Sequence, residues 1–105
     1  MGIPSPEKPP ATGILFRPGT PVSEGVTAAG EVWTPQELEA LVEGPVRLIA
    51  VRYQGHYWLL IVNRDHRDLG SGLRPNLLAT ELFRAFHSEA WIRGNALLAD
   101  HSALG

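Results

Sequence analysis

No cysteine occurs in the 105 residues, which excludes disulfides, thiolate zinc sites and thiol nucleophiles together. Long apolar runs are missing too. No window approaches the ~20 residues needed to span a bilayer, so no membrane contact is expected. The opening Met1-Gly2-Ile3-Pro4-Ser5-Pro6 lacks a basic stretch followed by an apolar one, and Pro6 stands where a myristoylation signal needs Ser or Thr. A cytoplasmic location is the expectation. Lysine is nearly absent: eight of the nine basic residues are arginine, a bias that fits a GC-rich, thermophilic source and says little about function.

What is present suits one folded domain. Some 44% of residues are apolar and 19% charged, proportions of a globular chain rather than a disordered one. The net charge of −2 is too small to imply a partner, but it is unevenly spread. Residues 1–45 carry Lys8 and Arg17 against six acids, whereas residues 46–105 carry seven arginines against five acids.

Pro4, Pro6, Pro9 and Pro10 predict a flexible proline-rich tail over residues 1–12. Ile14-Leu15-Phe16 reads as a short strand stopped by Pro18-Gly19, with a weak second strand near Val22 to Val26. Thr34-Pro35-Gln36-Glu37 is a capping box with Pro at the first helical position, and Trp33 and Leu38 are spaced as a hydrophobic staple. Leu38, Leu41 and Val42 form that helix's apolar stripe, and Gly44-Pro45 ends it. Val46 to Tyr53 and His56 to Asn63 predict a hairpin about Gln54-Gly55. Within the second run, Tyr57 to Val62 is apolar throughout, as in a central strand covered on both faces. Asn76 is placed to cap a second helix with Leu78, Leu82, Phe83 and Phe86 on its apolar side, and a last strand is expected over Trp91 to Ala99. The sum predicts an α+β domain over residues 13–100: a mainly antiparallel sheet of four to five strands with two helices packed on one face. Residues 101–105 read as a C-terminal tail.

Candidate chemistry is sparse. His66-Arg67-Asp68-Leu69 spells the start of a protein-kinase catalytic loop, but Leu73 stands where that motif needs asparagine. The four histidines share no helical i,i+4 pair, so no metal or cofactor is expected. None of Ser5, Ser23, Ser71, Ser88 and Ser102 lies in a nucleophile elbow. An enzyme using Asp65, His66 or Asp68 ranks last. Arg64, Arg67 and Arg74 share one polar loop, which makes phosphate contact by that loop a second reading, with nucleic acid as partner. Trp33, Trp58 and Trp91 read as packing residues.

Four pieces occur in a recognisable order: Pro35 to Gly44, Ile61-Val62-Asn63, Gly72-Leu73-Arg74-Pro75-Asn76-Leu77-Leu78-Ala79-Thr80, and Trp91-Ile92-Arg93-Gly94-Asn95-Ala96-Leu97. In this order they resemble the domain of unknown function 3846 family, small uncharacterised proteins carried by phages, plasmids and bacterial genomes. The resemblance covers about residues 13 to 99. It departs at Arg64, where an acid is usual, and at Pro45, where a second glycine is. It implies weight on Asn63, Leu73, Asn76, Ala79 and Gly94. Asn63, at a strand end beside the arginine loop, is the strongest of these for a functional role. The reading is a non-catalytic accessory protein that binds a protein partner or forms a homo-oligomer. Its candidate binding residues are Asn63, Arg64, Arg67, Arg74 and Asn76.

Overall fold

The computed structural model describes residues 9–20, 22–53, 55–84 and 91–104. Most of the expected N-terminal tail (residues 1–8), and Phe86, His87 and Ser88 beyond the second helix, lie outside these. Five strands are formed: β1 Thr12–Phe16, β2 Glu24–Thr27, β3 Val46–Tyr53, β4 His56–Asn63 and β5 Ala96–Asp100. Two helices join them, α1 Pro35–Val42 and α2 Leu77–Arg84. The strands make one sheet in the order β2-β1-β5-β4-β3, antiparallel at every pairing. The fold is α+β.

Helix α1 forms as its sequence dictates. The Thr34 hydroxyl accepts from the Glu37 amide at 3.2 Å, and Glu37 Oε1 accepts from the Thr34 amide at 3.0 Å. Glu37 Oε2 also accepts from Ala29 N at 2.9 Å, so one carboxylate ties the helix start to the preceding loop. Bonds from the Ala29 and then the Thr34 amide hold the Glu37 carboxyl below its ordinary pKa. Trp33 and Leu38 are both buried in the same cluster, as a staple requires. The helix does not end on its glycine. Glu43 adopts the left-handed conformation at φ 60, and Gly44 follows at φ 156, where a Cβ would meet Asn63 Nδ2 at 2.8 Å. Gly44 is therefore required by the close approach of Asn63.

The hairpin pairs Tyr53 with His56 and runs in unbroken register to Val46 with Asn63. Alternation along the interior strands separates two cores. Leu59 and Ile61 of β4 and Leu97 and Ala99 of β5 face Leu38 and Val42 of α1. Leu60, Val62, Ala96 and Leu98 face Ala79, Leu82 and Phe83 of α2. The two helices thus lie on opposite faces, not on one. The connection from β2 to β3 carries α1 from one edge of the sheet to the other across one face. The link from β4 to β5 places α2 on the face left open. Leu60, Ile61 and Leu97 are fully buried, each contributing about 1.5–3 kcal/mol by loss of apolar surface to water.

Three boundaries also differ from expectation. Ordered pairing starts before residue 13, because Ala11 is buried and its carbonyl accepts from Ala28 N at 2.8 Å. Strand β5 starts at Ala96 rather than near Trp91, because Ile92 and Arg93 are used instead to zip against Pro75 and Asn76. Residues His101–Leu104 form a 3-10 turn rather than a tail. Ala103 is buried, and its carbonyl accepts from Trp33 N at 2.8 Å.

Candidate functional site

Asn63 and Asn76 are scaffold residues. Asn63 is buried at the end of β4. Its Nδ2 donates to Val42 O at 3.0 Å, and its Oδ1 accepts from Asp65 N at 2.8 Å. It thereby satisfies a carbonyl left open at the C-terminus of α1 and closes the turn that follows the strand. Asn76 is fully buried. Its Nδ2 donates to Phe16 O and Gly94 O, each at 2.9 Å, while its Oδ1 accepts from Ala79 N at 3.2 Å as the cap of α2. Asn95 makes a third link of the same kind, from its Nδ2 to Leu41 O at 2.9 Å. These are the chain's only three asparagines, and each fastens two elements distant in sequence.

The arginines of the 64–74 loop separate. Arg64 and Arg67 are exposed in the turn after β4, and among the described residues neither forms an ion pair. Asp68 instead turns back to accept from Gly70 N at 2.8 Å. Arg74 points elsewhere: its guanidinium lies against the β1–β2 turn, with Nη2 3.6 Å from where a Gly19 Cβ would sit.

There it helps line a cleft of about 360 Å³, together with Arg17, Thr20, Glu43, Gly72 and Gly94. The asparagines hold three of its walls. Asn76 joins the end of β1 to Gly94, Asn95 joins the neighbouring residue to α1, and Asn63 holds the last carbonyls of α1 beside Glu43. Gly94 N donates to Arg74 O at 2.8 Å. Gly94 takes φ 85, and a Cβ there would press on Leu73 at 3.3 Å, so glycine is the residue that closes this wall. Arg17 is spoken for, with Nε and Nη2 each 3.0 Å from Glu24 Oε1.

Two histidines have defined surroundings. His66 is fully buried, and its Nδ1 lies 3.3 Å from Trp91 O. Its Nε2 is buried without a hydrogen-bond partner, and the ring stands edge-on to Phe83. Burial lowers the His66 pKa, and Arg47 and Arg67 add to this against the opposing Trp91 carbonyl. The lowered pKa favours the neutral ring, and because the Trp91 carbonyl can only accept, the contact with it calls for the proton on Nδ1. His56 Nε2 meets Asp100 Oδ2 at 2.5 Å, while Ser102 donates to Asp100 Oδ1 from both its amide and its hydroxyl. Those two Ser102 bonds, and then His56, bring the Asp100 pKa down to about 2. Because Ser102 donates to Asp100 and not to His56, the group has no activated nucleophile. Among the described residues no group of three or more His, Asp or Glu side chains is placed to hold a metal ion. No helix among them is long and apolar enough to cross a membrane.

Sequence reasoning missed Arg17, Thr20 and Glu43 as cleft residues. Arg17 and Thr20 belong to the β1–β2 turn and Glu43 to the end of α1, and these segments meet only when β1 pairs with β5 and Asn95 ties α1 to the approach to β5. No protein-family model matches the chain, and no curated protein or solved structure matches it.

Proposed function

We propose that the chain is a small non-catalytic accessory protein that works by association, and that its partner is a second copy of itself, bound through the outer edge of β3. The observation that carries this is the character of that edge. Strand β3 is eight residues long and fully paired to β4 on its inner side, and among the described residues no strand pairs with its outer side. An unpaired strand edge of this length is a template for another strand. The opposite edge, β2, has four residues and offers little. Beside the β3 edge, on the face carrying α1, Leu48 is 51% and Tyr57 55% exposed.

A two-fold axis perpendicular to the sheet keeps like faces together. Centred on Ile49, it sets Leu48 opposite Ala50 of the second copy, Arg47 opposite Val51 and Val46 opposite Arg52. No like charges then face one another, and Leu48 and Ala50 gain apolar cover. Sedimentation equilibrium of the intact protein should return twice 11.4 kDa, and the doubly substituted Leu48→Lys, Ala50→Lys protein should return the monomer mass with unchanged circular dichroism. A monomeric parent at high micromolar concentration would refute the proposal.

A nucleic-acid reading is favoured by a different observation, the exposed guanidiniums of Arg64 and Arg67, which form no ion pair among the described residues. It requires salt-dependent retention of DNA or RNA that weakens in the Arg64→Ala, Arg67→Ala protein. Retention unchanged by those substitutions would count against it. The resemblance to the domain of unknown function 3846 family belongs to the same proposal and adds no reaction to it.

A further inference from the structure

The cleft beneath the β1–β2 turn carries two opposite charges that do not meet. Arg74 and Glu43 both line it, yet among the described residues no ion pair joins them, and neither has any other ionic partner. Arg17, the remaining lining charge, is neutralised by Glu24. The main chain on both sides is anchored: Asn63 and Asn95 fix the end of α1 that carries Glu43, and the Gly94-to-Arg74 bond fixes the segment that carries Arg74. Glu43 is also the one non-glycine residue at positive φ among those described, a conformation that costs about 1–2 kcal/mol. The left-handed cap turns the chain at the end of α1, and the residue that makes the turn lines this cleft. The volume, about 360 Å³, lies at the lower end of the range for small-molecule sites.

We infer that this cleft binds a small zwitterion, with an oxyanion on the Arg74 guanidinium beside the Thr20 hydroxyl and a protonated amine on the Glu43 carboxylate. Neither a simple anion nor a simple cation satisfies both walls. A molecule bearing both charges at the right spacing does, and it displaces only water. The anchored main chain limits the ordering cost of binding to the Arg74 and Glu43 side chains themselves. This site is separate from the β3 edge and does not depend on self-association.

The test is amide chemical-shift mapping on the full-length 15N-labelled protein at pH 7 and constant ionic strength. The probes are ω-amino acids of increasing length (glycine, β-alanine, 4-aminobutyrate and 6-aminohexanoate), with acetate and methylammonium as single-charge controls. At least one amino acid should saturably shift the amides of Thr20, Gly72 and Gly94. It should bind at least about threefold more tightly than either control, as expected for one added exposed ion pair. Glu43→Gln should remove the advantage over acetate, and Arg74→Ala the advantage over methylammonium. Both side chains are exposed, so each variant should keep the parent spectrum elsewhere. The inference is overturned if no amino acid shifts these amides, if acetate binds as well as every member of the series, or if the shifts persist in both variants.

Discussion

Asn76 gives the sharpest single test of how the fold is held. Replacing it by alanine removes two amide bonds, to Phe16 O and Gly94 O, and the cap on Ala79 N. Asn76 and Ala79 are both fully buried, so water cannot replace the lost partners without opening the structure. Each orphaned carbonyl costs about 1 kcal/mol and the lost cap about another 1 kcal/mol. The expected loss is about 3–4 kcal/mol, a large share of the roughly 5–15 kcal/mol that holds a domain of this size. Asn76→Ser separates the contributions, because its hydroxyl can still cap α2 while both long donors are gone; about 2 kcal/mol is expected. Asn76→Asp keeps the cap but turns a carboxylate oxygen toward two carbonyls, so at pH 7 it should be at least as harmful as alanine. Urea unfolding followed by far-ultraviolet circular dichroism, with the slope checked for constancy, measures all three. If Asn76→Ala costs under about 1 kcal/mol, the claim that this side chain fastens β1 to the 94 segment is wrong.

Gly44→Ala should destabilise by about 2 kcal/mol through overpacking, since its Cβ would collide with Asn63 Nδ2. In the Asn63→Ala background the same change should cost clearly less, and additive costs in that cycle would rule out the contact as the cause. His66 has a folded pKa below that of the unfolded chain, so the unfolded state takes up its proton first as the medium turns acid. The stability tied to neutral His66 is then complete above about pH 6.5 and declines as pH falls below it. Stability measured at pH 7.5 and 5.5 should fall more for the parent than for His66→Phe, and equal slopes would contradict the burial argument. Asp100, with its pKa depressed to about 2, contributes above the ordinary carboxylate range and loses that contribution as pH falls through 3.8 toward 2. Asp100→Asn should flatten the melting temperature over this interval, by a small amount because the side chain is 37% exposed and screened. A parent and variant with parallel acid profiles would argue against the Ser102 and His56 bonds.

How far the sequence could be read depends on the range of the interaction. The capping box of α1, the Asn76 cap and the 53–56 hairpin are local: donor, acceptor and turn lie within a few residues, and all three form as read. The helix end is nearly local, yet the left-handed residue is Glu43 and not Gly44, and the glycine is needed instead where Asn63, distant in sequence, leaves no room for a Cβ. The placement of the helices is wholly non-local. Even so, the unbroken apolar run of Tyr57 to Val62 already required cover on both faces of β4, and two helices on one face could not have supplied it. The separate clusters of α1 and α2 residues supply that cover, one on each face.

The cleft lies at the far end of this scale. Its lining comes from the β1–β2 turn, the end of α1, the 72–74 segment and the approach to β5, and no spacing in the chain brings these together. What the sequence did mark was its frame. Asn63, Asn76 and Gly94 stood out for the elements they end or begin, and their structural work is to hold fixed the walls that carry Arg74 and Glu43. An asparagine that fastens a wall and a charged residue that uses it leave different traces. The first is buried with every donor paired; the second is exposed with none. By that criterion Asn63 and Asn76 pass from candidate binding residues to supports, and the search for chemistry moves to the unpaired charges they hold in place. It follows that Asn63→Ala, which frees the end of α1 without changing a lining residue, should weaken zwitterion binding while leaving Arg74 and Glu43 intact. An unchanged affinity in that variant would mean that the frame is irrelevant to the site.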